Sequence, residues 1–160
     1  MPEITVLGWA HTAAGVASLL VGFYCLARYH FISLDRRSGM LYLGLTVFTA
    51  VTALAIYQHG GFNVAHLLAV MTLLAVATGA IAEKTNVLRI FSPYMQAASY
   101  SATFLFHMVP AITDGLRRLP VDSPIVTEPD DPLLLGFYGA FLLTYLLGLG
   151  VQWLKIYRSS

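Results

Sequence analysis

Five stretches of the chain, roughly residues 7–29, 38–58, 62–82, 94–114 and 133–154, are predominantly apolar, and each has the length of about 20 residues that a helix needs to cross a hydrocarbon core. Lipid offers a bare backbone N–H or C=O no partner, so each stretch must close its hydrogen bonds within itself as a helix. The expectation is an all-α integral membrane protein: an up-and-down bundle of five transmembrane helices, with a four-helix core and a C-terminal helix beside it. Charged residues are 11% of the chain, well under the roughly 25% of soluble domains. With short connections and no internal repeat, residues 1–160 read as a single transmembrane domain. The first stretch is too long for a signal-peptide core and only Glu3 precedes it, so it reads as a retained helix.

The positions of lysine and arginine orient the bundle, because basic residues near helix ends stay on the cytoplasmic side. Arg28, Arg36, Arg37, Lys84, Arg89, Lys155 and Arg158 all fall on one side of a five-helix weave. The other side receives Arg117, Arg118 and the acidic segment Asp122, Glu128, Asp130 and Asp131. This places the N-terminus outside and the C-terminus in the cytoplasm, with a bacterial inner membrane as the natural setting. Residues 115–132 hold four prolines and are expected to form an irregular outer loop. A formal charge of +1 without a dense basic run gives no reason to expect nucleic acid; the lipid bilayer is the partner the composition demands. The single cysteine, Cys25, excludes a disulfide framework and a CxxCH haem attachment.

The histidines are the most informative polar residues. Counting a rise of about 1.5 Å per residue, His11, His66 and His107 fall at a similar depth in the outer half of the bilayer, whereas His30 lies on the inner side. The stretch QHGGFNVAH, residues 58–66, is a tight outer turn in which Asn63 caps the next helix; His59 faces water or headgroups and His66 enters the bundle. Intramembrane ionisable groups usually face the interior and mark function, although a hydrogen bond to a neighbouring helix is an equally open explanation for His11 or His66. Imidazole ligates zinc, copper, iron and the iron of b-type haems. On the first helix His11, Gly15, Ser18, Gly22 and Cys25 share one face, and on the fourth Gln96, Tyr100, Thr103, His107 and Asp114 do. Pro110 is expected to kink the fourth helix.

The segments HTAAGVASLLVG (His11 to Gly22), RRSGMLYLG (Arg36 to Gly44) and SATFLFHMVPAITDGLRRLP (Ser101 to Pro120) resemble a family of small bacterial multi-pass membrane proteins of uncharacterised function. In that family the segment before the second helix often reads His-Arg-x-x-Gly-x-x-Tyr. Arg36, Gly39 and Tyr42 match, and Asp35 stands at the histidine position. The family in turn is similar to the four-helix bundles of b-type membrane cytochromes. With His30 alone near the inner face, that resemblance implies at most one haem, on the outer side.

Three functions follow as expectations. The first is a redox or electron-transfer protein holding one haem b, its axial ligands drawn from His11, His66 and His107, with Tyr100 and Thr103 supporting them. The second fills the same site with zinc, copper or iron, bound by the three histidines and Asp114. The third is a non-catalytic accessory subunit of a larger membrane complex. No HExxH, phosphate loop or catalytic triad appears in the sequence, so whether the protein is an enzyme stays open.

Overall fold

A computed structural model describes residues 5–56, 61–85 and 87–159. Five α-helices follow in order: α1 Val6–Tyr29, α2 Arg37–Leu54, α3 Val64–Thr85, α4 Ser92–Arg118 and α5 Pro132–Ser159, with a short 3-10 turn, Arg89–Phe91, before α4. No strand occurs among the described residues. Helices α1, α2, α3 and α5 are long and apolar enough to cross a membrane, which makes this an integral membrane protein of the α-helical class. Helix α4 is more polar because Ser92, Ser99, Tyr100, Ser101 and Thr103 are turned into the protein.

Local chemistry sets the helix ends. Thr5 caps α1 by accepting the Gly8 N–H at 3.1 Å. His30 ends that helix in the left-handed conformation, φ 65°, its N–H returning to the Leu26 carbonyl, as a C-terminal cap requires. Asn63 caps α3 as its sequence position predicts, its Oδ1 accepting the Ala65 N–H at 2.9 Å. Helix α2 stops at Leu54, short of the expected residue 58. Helix α4 runs through Pro110 to Arg118, so Gly115 to Arg118, expected in the outer loop, are helical. Arg117 and Arg118 sit in the last turn, where cations complement the helix dipole, and Arg118 pairs with Asp114 one turn earlier.

The helices pack in a ring, α1 on α2, α2 on α3, α3 on α4 and α4 back on α1, and α5 lies against α4. This is the four-helix core with an added C-terminal helix. Helix α4 runs antiparallel to α1: Ser18 meets His107, and the carbonyl of Ile32, just past the end of α1, meets Gln96. Between α4 and α5, Thr113 bonds Tyr138 and Ser101 bonds Gln152. Two glycines permit the closest approaches. A Cβ on Gly22 would stand 2.6 Å from the Tyr42 ring and 2.8 Å from that of Phe104, and one on Gly79 would meet the Tyr100 ring. Small residues let transmembrane helices approach in this way, where packing replaces the hydrophobic effect. Between them lies a core of Cys25, Leu43, Tyr42 and Tyr100.

Candidate functional site in the bundle interior

One face of α2 carries Tyr42, Thr46, Thr49 and Thr52, all buried, at the three- and four-residue spacing that aligns side chains on a helix. This ladder organises the interior polar groups. Near its middle, His107 Nε2 lies 3.1 Å from Thr46 Oγ1 and 3.2 Å from Ser18 Oγ, and the two hydroxyls are 3.0 Å apart. One imidazole and two hydroxyls thus join α1, α2 and α4 at a single point.

At the outer end of the ladder His11 Nδ1 approaches the Thr49 carbonyl at 3.1 Å and Thr52 Oγ1 at 3.0 Å. A carbonyl can only accept, so Nδ1 carries the proton and Nε2 of the neutral ring keeps its lone pair. The Thr52 hydroxyl donates to the Phe48 carbonyl at 2.9 Å, as hydroxyls inside helices commonly do. At the other end of the ladder, Thr103 donates to the Tyr100 carbonyl at 2.7 Å, so the Tyr42 hydroxyl is the donor in its 2.8 Å bond to Thr103.

A second polar group lies at the end of the bundle opposite His11. The Glu83 carboxylate accepts from Ser33 Oγ at 2.6 Å, from the Leu34 N–H at 2.9 Å and from the Tyr100 hydroxyl at 2.9 Å. Cys25, Tyr42, Leu43 and the Tyr100 ring, with Val21, Val76 and Phe104 around them, form an apolar layer next to this group. Tyr100 therefore belongs to both: its ring to the layer, its hydroxyl to the carboxylate.

The residues singled out from sequence do not share one site. His66 is buried, 1% exposed, but its Nδ1 lies 3.0 Å from Asn63 Oδ1 and its ring packs on Phe62 at 5.4 Å. Asp114 is at the surface, 3.5 Å from Arg118 Nε, with its side chain 67% exposed. His30 is an exposed helix cap, and His59 falls outside the described residues. Tyr100 and Thr103 are interior, as expected. Among the described residues no three His, Cys, Asp or Glu side chains group so as to hold a metal ion. His107 presents Nε2 to two hydroxyls. The three histidines each take separate partners, and His11 keeps a directed Nε2 lone pair.

Sequence reading missed Thr46, Thr49, Thr52 and Glu83. The threonines did carry a signal, a three-residue repeat in phase with Tyr42 and Gly39. Glu83 lay one residue beyond the apolar window that ended at residue 82.

No protein family, curated protein or solved structure matches the chain. Fold and interior define a class, a polytopic α-helical membrane protein with a hydroxyl-lined, histidine-bearing core.

Proposed function

We propose that this membrane protein relays protons through its interior, with His107, Ser18 and Thr46 as the central station. The arrangement of that trio carries the reading. Both hydroxyls donate and accept, so a proton can pass in the order Ser18, Thr46, Nε2 or Thr46, Ser18, Nε2 by rotation of two C–O bonds. Protonating Nε2 reverses the direction of donation. Intramembrane chains of His and Asp or Glu are characteristic of proton pathways. His11, whose Nε2 keeps its lone pair, is the entry group, at the outer end of the threonine ladder beside Thr49 and Thr52. Glu83 with Tyr100 is the station at the other end, and the Cys25–Leu43–Tyr100 layer is the barrier between the two halves. A swing of Tyr100 would join them.

The basic residues favour a His11 end facing outward and a Glu83 end facing the cytoplasm, in a bacterial inner membrane, since Arg28, Arg36, Arg37, Lys84, Arg89, Lys155 and Arg158 share the second end. Cysteine introduced at Ser123 should react with an impermeant maleimide in whole cells, and cysteine at Ser159 only after lysis. The reverse pattern would invert the topology.

Proton flux tests the relay. The protein reconstituted in liposomes holding a pH-sensitive dye should acidify the lumen under a potassium diffusion potential faster than protein-free vesicles. His107→Ala and Glu83→Gln should return the rate to the protein-free level. Wild-type flux no greater than that of empty vesicles would refute the relay.

A second reading rests on the His11 tautomer. A ring whose Nδ1–H is held by a carbonyl presents Nε2 as ligands to metals and haem do, so a redox role with haem b, zinc, copper or iron at His11 is the alternative. An absorption spectrum and metal analysis of one purified preparation separate the two. A Soret band or stoichiometric metal that disappears in His11→Ala would favour the cofactor.

A further inference from the structure

At the Glu83 end of the bundle, the start of α4 and the end of α5 enclose a groove of about 710 Å³ whose walls include Arg89, Ile90, Phe91, Tyr94 and Trp153. We infer that this groove binds one anionic phospholipid, its phosphate on Arg89 and an acyl chain along Ile90, Phe91 and Trp153. Independent features converge on that ligand. Arg89 adopts a left-handed backbone, φ 52°, a conformation uncommon outside glycine, and its side chain lines the groove without an ion pair among the described residues. The first turn of α4 has neither an acidic residue nor a side-chain cap, so the positive end of its dipole is uncompensated.

The rest of the groove suits a lipid and not a soluble anion. Ile90 and Phe91 are 75% and 64% exposed. Tyr94 and Trp153 meet edge to face at 5.8 Å, in keeping with the amphipathic aromatics that sit at headgroup level. The acids at this end are engaged, Asp35 by Lys84 and Glu83 by Tyr100 and Ser33, so neither competes for Arg89. Basic pockets beside transmembrane helices recognise anionic headgroups on this principle.

The full chain carrying Trp9→Phe keeps Trp153 as its one tryptophan, and brominated lipids quench that fluorophore on contact. In phosphatidylcholine vesicles, brominated phosphatidylglycerol should quench Trp153 with about fivefold higher apparent affinity than brominated phosphatidylcholine, the preference expected from one basic group near the surface. Arg89→Gln should reduce the ratio to one. Arg158→Gln, at the same end but outside the groove, should leave it unchanged. Equal quenching by both lipids in the parent, or a preference that survives Arg89→Gln, would overturn the site. An equal loss in Arg158→Gln would do the same by revealing general surface charge. Displacement of the brominated anionic lipid by inorganic phosphate would overturn the lipid assignment.

Discussion

The Tyr100 hydroxyl donates to the Glu83 carboxylate at 2.9 Å, tying α4 to α3 beside the apolar layer that the Tyr100 ring helps to form. Tyr100→Phe removes only this bond and should cost about 1 kcal/mol, typical of an interhelical hydrogen bond in a membrane protein. Glu83→Ala also strips Ser33 Oγ and the Leu34 N–H of their acceptor, and an orphaned donor costs roughly 1–3 kcal/mol. Thermal unfolding in detergent should therefore rank Glu83→Ala below Tyr100→Phe. The opposite order would mean that the carboxylate does not organise this end.

Glycine substitutions should divide by what their Cβ meets. Gly22→Ala and Gly79→Ala press on the Tyr42, Phe104 and Tyr100 rings and should each cost about 1–3 kcal/mol, the range for overpacking. Gly39→Ala meets the Ser33 carbonyl, backbone that cannot turn aside, and should be the most damaging. Gly44, with nothing within 4 Å, should tolerate alanine or gain up to about 1 kcal/mol from helix propensity. Melting curves of the four variants measured together decide this, and a destabilised Gly44→Ala would contradict the packing.

Ser18 and Thr46 should prove energetically coupled. Ser18→Ala and Thr46→Val each remove a hydroxyl from the His107 group, at about 1 kcal/mol apiece. The double variant should lose less than the sum, because groups within one network are non-additive. A double-mutant cycle on unfolding free energies measures the difference, and strict additivity would show that the three side chains do not act together.

The tautomer of His11 is fixed by the Thr49 carbonyl. Long-range nitrogen–proton NMR on labelled protein should show Nδ1–H in the neutral ring. Thr52→Val should preserve that tautomer, because the carbonyl acceptor remains. A neutral Nε2–H form would remove the Nε2 lone pair on which the relay's entry group depends.

Much of the architecture could be read from the chain because lipid leaves a long apolar stretch few choices. The five helices fall where the apolar runs do, Asn63 caps α3, and the faces bearing Ser18, Gly22 and Cys25 on α1 and Tyr100 and Thr103 on α4 turn inward. The failure concerns convergence. Counting residues gives the height of His11, His66 and His107, since each residue adds a fixed rise. It does not give the rotation of each helix or which atoms the rings meet. His66 reaches Asn63, His107 two hydroxyls, and His11 a backbone carbonyl.

Sequence alone determined that this protein is helical and membrane-spanning, because unsatisfied backbone in hydrocarbon is too costly for any other course. Tertiary structure alone decided what the polar residues do. A hydroxyl or imidazole inside a bundle takes the partner that neighbouring helices bring within about 3 Å, and Gly22 and Gly79 let those helices approach closely. The α2 threonine ladder became the spine of the interior, and Glu83, one step beyond an apolar window, became the acceptor for Ser33, Leu34 and Tyr100.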